Sequence, residues 1–197
     1  MKIYDISKEL FSSKVFFGDP SPKRIRLYSM EKGSMYNLSA VSMCVHNATH
    51  VDAPSHFIED GANIEEIPLY KAVGMAYVAV HSGMVGKEDA KEILQKAKAV
   101  GGDCEKRILI KGDAWISEEA ANVFADAGIY LLGNESPTVG PENAPMAVHK
   151  ILLGKDVVLL ESIVLTDVSQ GKYFLGAAPL KLGGCEGAPC RAFLAEI

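Results

Sequence analysis

The sequence has no apolar run of the roughly 18 residues that a membrane-spanning helix needs. Charges at Lys2, Asp5, Lys8 and Glu9 leave its N-terminus without the apolar core of a secretory signal. Its cysteines, Cys44, Cys104, Cys185 and Cys190, form no CxxC pair and read as reduced thiols, so a cytoplasmic protein is expected. No internal repeat, low-complexity tract or long linker divides the chain. A GxSxG nucleophile elbow is missing, as are a GxGxxG turn and a GKS or GKT loop. Their absence removes the usual signs of serine hydrolases and of nucleotide-phosphate binding. Basic residues are scattered, and the net charge is −5. That balance argues against a nucleic-acid backbone as partner and leaves a small-molecule substrate as the expectation.

Apolar residues make up 48% of the 197 residues and charged residues 23%, close to ordinary globular composition. A chain of this length buries about 70% of the surface its unfolded form exposes. Disorder, a collagen-like fibre and a disulfide-stapled miniprotein are thereby excluded, and residues 1–197 are expected to form one domain. The first third is strand-like and rich in turns, with strands expected at Lys2–Ile6, Arg24–Met30 and Asn37–His46. Beyond it, strands at Met75–His81, Arg107–Lys111, Ile129–Gly133 and Val157–Glu161 alternate with helices at Lys87–Val100, Ser117–Ala127 and Pro141–Leu153. Ser117 can cap the second helix, Glu118 and Glu119 suit its positive end, and Gly128 follows its last turn. The pattern predicts a mixed α/β fold, sheets packed with helices. Gly183, Gly184, Gly187 and Pro189 crowd the C-terminal stretch and suggest backbone packed close to something.

Five histidines occur in all, and three fall in His46-Asn47-Ala48-Thr49-His50-Val51-Asp52-Ala53-Pro54-Ser55-His56. Imidazole nitrogens with a carboxylate are a ligand set for zinc, manganese or iron(II). His46, His50, Asp52 and His56 are all separated by even intervals. On an extended chain even spacing puts side chains on one face, whereas a helix would scatter them, and Pro54 disfavours a helix. A strand running into an extended loop is therefore predicted, presenting all four groups to one side. Lone histidines on strands are usually structural, but four unpaired groups of this kind would be costly to bury.

His149 lies on the third predicted helix, and Glu161 ends an apolar strand. Gly154 reverses the chain between them, so the two can meet. Glu161 either finds a partner there or faces solvent at a strand end. His81 has no acidic neighbour before Glu88 and is read as structural. Cys44 shares a face with His46, but a small core residue is the commoner role for such a thiol.

The eleven-residue run resembles the HxGTHxDxPxH motif of the cyclase-like metal hydrolases, which include bacterial kynurenine formamidase (arylformamidase) and isatin hydrolase. Further segments are similar to that family in order along nearly the whole chain: Asp5-Ile6-Ser7, Gly18-Asp19-Pro20, Gly133-Asn134-Glu135-Ser136-Pro137-Thr138, Ala178–Leu182 and Gly187–Ala192. The resemblance implies a swivelling β/β/α fold, assembled as a homodimer or higher oligomer. It implies a first metal held by His46, His50 and Asp52 and a second by Asp52, His149 and Glu161. Two zinc or manganese ions per chain follow, with Asp52 and Glu161 able to bridge and His56 as acid/base, not ligand. Ala48 stands where the family has Gly before Thr-His, and Phe17 stands where its formamidases tend to have a substrate-contacting Trp.

The expected reaction is amide hydrolysis, with N-formyl-L-kynurenine giving L-kynurenine and formate. The metal would lower the pKa of water toward about 7, and His56 would pass a proton to the aniline nitrogen. Other amides, isatin-like cyclic amides or lactones are the alternative substrates, and a metal-binding protein without turnover is the alternative class.

Overall fold

The computed structural model describes residues 1–197. Its strands, in chain order, are β1 (Ile3–Asp5), β2 (Lys23–Tyr28), β3 (Leu38–Ser42), β4 (His50–Asp52), β5 (Val73–Val80), β6 (Gly83–Val85), β7 (Arg107–Lys111), β8 (Ala114–Ile116), β9 (Leu131–Asn134), β10 (Val158–Glu161), β11 (Gly171–Gly176), β12 (Gly187–Pro189) and β13 (Phe193–Ala195). The helices are α1 (Leu69–Ala72), α2 (Lys87–Ala99), α3 (Glu118–Asp126) and α4 (Met146–Leu153). Nine strands form one sheet in the order β1-β13-β11-β5-β7-β9-β10-β4-β12. The inner four, β5, β7, β9 and β10, are parallel, and the flanking strands are antiparallel. The expected mixed α/β fold is what the structure shows.

The inner strands are apolar along their middles because both of their faces are covered there, with Arg107, Lys111, Asn134 and Glu161 only at strand ends. On β7, Ile108 and Ile110 pack beneath the helices, while Leu109 faces the opposite core. On β10, Leu159 points to the helices and Val158 and Leu160 point away. Crossovers of one hand stepping in one direction put their helices on one face, and α2, α3 and α4 all feed the same cluster. Ala90, Ile93 and Ala97 form the buried stripe of α2. Ser117 caps α3 as its position predicts, its Oγ accepting the Ala120 N–H at 3.2 Å. Helix α4 starts five residues later than the predicted Pro141, at Met146. Ala144 precedes a proline, which pushes its backbone out of the helical region and delays the start.

The other face is closed by the sheet itself. The Val164 N–H donates to the Ile6 carbonyl at 2.9 Å, and Ser7 forms a bridge with Ile163. The segment leaving the edge strand β1 thus meets the segment leaving β10, and the sheet curls around Ile6, Val51, Leu160, Ile163 and Leu194. Outside this body lies the β2–β3 hairpin, every strand residue of which is exposed except Ala40. The predicted strand Asn37–His46 ends at Ser42, so His46 is not on it.

Candidate active site

Strand β4 is the floor of the site. It lies between β10 and β12, with Asp52 opposite Leu159 and Gly187, and His50 opposite Glu161 and Pro189. Alternation sends Val51 into the lower core and turns His50 and Asp52 to the helix side, beside Glu161. Helix α4 crosses that side and lowers His149 onto Glu161, Nε2 to Oε1 at 3.1 Å. The predicted meeting of His149 and Glu161 across Gly154 occurs, and the solvent-facing alternative for Glu161 does not, since it is buried.

The motif is not one extended face. His46 sits in a turn, His50 and Asp52 on the three-residue strand, and His56 at the end of a 3-10 turn, Pro54–His56. The turn between the first two histidines uses Ala48 at φ 57°, a left-handed conformation that an L-residue with a Cβ adopts at a cost. It brings His46 back over β4, with its Nδ1 2.9 Å from Asp52 Oδ1. His50 Nε2 lies 3.2 Å from the same oxygen. Asp52 Oδ2 is buried, has no hydrogen-bond partner and stands 3.7 Å from His149 Nε2.

Three three-residue groups result, His46–His50–Asp52, Asp52–His149–Glu161 and His46–His56–Glu186, with donor atoms within 4.8 Å of one another in each, and the first two are the expected ligand sets. The donors are imidazole nitrogens and carboxylate oxygens, the chemistry of a divalent-cation site. Asp52 is shared by both expected sets, and its buried Oδ2, without a hydrogen-bond partner, fits such a cation because an unsatisfied buried polar atom is costly. All five residues expected as ligands come together. His56 lies outside the two expected sets, in the group with His46 and Glu186, its ring 4.1 Å from that of His46 and packed on Phe57.

The protonation equilibria divide the histidines. Burial works to lower His50, but the Asp52 and Glu161 carboxylates overcome it and raise it to about 9. Burial likewise opposes, and facing carboxylates outweigh, in His46 and His149, both raised. Asp52 is pushed up by burial and pulled well below the usual range by His50 and His46. His56 goes the other way. Burial, with His46 and His149 assisting against Asp52, lowers it to about 4. It is therefore neutral at pH 7, an acceptor before it is a donor, and not the unperturbed imidazole that the sequence alone suggests.

A cleft of about 210 Å³ opens above these groups, walled by Phe16, Asp19, Phe57, Pro137, Thr138 and Pro145. Phe17, expected at the substrate, is 98% exposed, while its neighbour Phe16 lines the cleft. The loop turns at Gly18, φ 97°, and only one of two adjacent side chains can face inward. Glu186 was not marked by any sequence pattern, yet its Oε1 lies 3.2 Å from His46 Nε2. Cys44 is raised by burial and lies 4.0 Å from Asp19 Oδ2, the reverse of what a thiolate nucleophile requires. His81 Nε2 donates to the Met84 carbonyl, 3.0 Å away and outside the site.

Residues 4–141 match the family described as "Putative cyclase". The chain belongs to the cyclase family. A kynurenine formamidase of Erythrobacter litoralis is 32% identical over all of this chain and 94% of its own. That of Salinibacter ruber is 33% identical over 84% of this chain and 83% of its own. A solved "potential metal-dependent hydrolase with cyclase activity" superposes with a TM-score of 0.81 at 30% identity, covering 98% and 96% of the two chains. Isatin hydrolase A of Labrenzia aggregata shares the fold with a TM-score of 0.81 at 20% identity, over 98% and 93%. The protein is thus a cyclase-family hydrolase acting on an amide C–N bond, and it has no helix long and apolar enough to cross a membrane.

Proposed function

We propose that this cyclase-family hydrolase cleaves aryl formamides, with N-formyl-L-kynurenine as the substrate and L-kynurenine and formate as products. The observation that carries this reading is Asp52, a buried carboxylate shared by two nitrogen–oxygen groups, with one oxygen unpartnered. The similarity to two kynurenine formamidases across most of the chain supports the substrate. His46, His50 and Asp52 would hold one divalent cation, zinc or manganese, and Asp52, His149 and Glu161 a second. When bound, such cations supply Lewis acidity for the carbonyl and make water acidic enough to act as a nucleophile near neutral pH.

The chain's own groups supply the rest. His56, neutral at pH 7, takes the proton of the attacking water on its free ring nitrogen and returns it to the aniline nitrogen as the C–N bond breaks. Phe16 and Phe57 flank the aryl ring, and Asp19 offers a negative charge to an α-ammonium group. Phe57 also packs on His56 and His149, ring centroids 4.4 and 4.8 Å away, so ring binding and the proton relay share a wall. Residues 1–197 would act as one domain.

A homo-oligomer is part of the same reading. Ile25, Leu27, Leu38 and Val41 are exposed on a two-stranded hairpin, and an isolated hairpin is marginal in water. A second copy packed against it would supply the missing cover.

The test is the rate of N-formylkynurenine hydrolysis by metal-loaded protein beside a chelated aliquot. Turnover that disappears with chelator and returns with zinc or manganese is expected. No turnover in a fully metallated sample would reject the formamidase reading and turn attention to cyclic amides and lactones.

A further inference from the structure

We propose that Glu186 is a positioning residue that accepts the Nε2–H of His46 and so aims the Nδ1 lone pair of that ring at the cation. This rests on reading the site as a metal centre. Three rings are offered as ligands, and each needs its second nitrogen protonated and tied down to present a lone pair. His50 Nδ1 is 2.9 Å from the Ala48 carbonyl, and His149 Nδ1 is 2.9 Å from the Pro145 carbonyl. A carbonyl only accepts, so both rings carry their proton on Nδ1 and turn Nε2 to the carboxylates.

His46 is inverted. It turns Nδ1 to Asp52 at 2.9 Å, and its Nε2 meets no backbone carbonyl but the Glu186 carboxylate at 3.2 Å. The main chain around Glu186 is fixed for this contact. Its carbonyl accepts the Ala53 N–H at 2.9 Å, and the next residue, Gly187, pairs with Asp52 on β12. A Cβ at Gly187 would stand 2.9 Å from His46 Cε1 and 3.3 Å from its Nδ1, so the ring occupies space that the missing side chain leaves open. Glu186 therefore does for His46 what two carbonyls do for the other rings. Being a carboxylate, it also makes the imidazole a stronger donor. Glu186 belongs as well to a group with His46 and His56, so a role toward the proton-carrying ring is the competing outcome.

The experiment is a chelator-competition titration of the metal-stripped protein with zinc(II) and, separately, manganese(II). Wild type, Glu186→Ala and Glu186→Gln are compared, together with melting of each metal-free protein. For Glu186→Ala, one of the two equivalents should bind about 10–100-fold more weakly and the other unchanged. Glu186→Gln, which keeps an oxygen acceptor, should recover part of that loss. Melting of the metal-free proteins should coincide, since the Glu186 side chain is 43% exposed. Unchanged affinity in Glu186→Ala, with turnover altered in its pH profile, would overturn the proposal and give Glu186 to His56. A wild type that binds neither ion would instead remove the metal-centre reading on which the proposal stands.

Discussion

On the inner side of Asp52, His149 and Glu161 are buried and held by main chain: the Pro145 carbonyl orients the imidazole and the Val139 N–H donates to Glu161 Oε1 at 2.8 Å. On the outer side, His46, His56 and Glu186 are half-buried, rest on turns and on the bend before β12, and touch one another through side chains. The inner half comes with the fold, because α4 and β10 place it wherever their cores pack. The outer half depends on segments 140 residues apart in sequence meeting in register. Buried His149 and Glu161 and half-buried His46 and His56 thus line one and the same cleft.

Asp52→Asn breaks both halves at once and should have the largest effect. Affinity for both ions should fall by more than about 100-fold, beyond what losing an outer partner costs. Metal analysis after dialysis checks it, and full occupancy would undo the shared-ligand assignment. His56→Ala should break the outer half alone. Metal content should stay, while kcat drops about 10²–10⁴-fold. Loss of metal in this variant, or a near wild-type rate, would contradict the role given to His56.

Acidity separates the halves more gently. His50 is raised to about 9 from an ordinary value near 6.5. In the metal-free protein its contribution to stability is complete below about pH 6.5 and is lost as pH rises toward 9. Asp52, depressed, contributes above its ordinary value and loses that contribution only as pH falls through its lowered one. Melting of chelated protein should accordingly fall between pH 6.5 and 9. A flat profile there would mean that His50 and Asp52 do not pair. The smallest change expected removes no side chain of either half. Ala48→Gly relieves the left-handed turn and should stabilise the protein by about 1 kcal/mol, or about 2–4 °C in Tm, with metal affinity unchanged.

The same division governs what the sequence reveals. Arg107–Lys111 and Ser117 are legible because burial on both faces and a helix cap leave direct marks in residue type. His50 and Asp52 are legible because alternation is a local rule. His46 shares their even spacing for a different reason. Its turn at Ala48 depends on a backbone conformation that spacing does not encode, and the ring arrives on the same carboxylate from another direction. Glu186 has no periodicity around it and gains its meaning only when β12 pairs with β4. Phe16 and Phe17 are equivalent by composition, and only the loop's turn decides which one faces the cleft.

The curl of the sheet also sets an order in time. β1 pairs only with β13, and β4 acquires its outer neighbour only from residues Gly187–Pro189. Thr49, inside the motif, accepts the Lys8 N–H and donates to the Ser162 carbonyl, while its own carbonyl accepts the Cys190 N–H. During synthesis on a ribosome, His46, His50 and Asp52 emerge long before the residues that seat them. Contacts this distant in sequence form slowly and close last. The nascent chain carries His46, His50 and Asp52 early, but they reach their seated geometry only at the final closure, when β13 meets β1 and β12 meets β4.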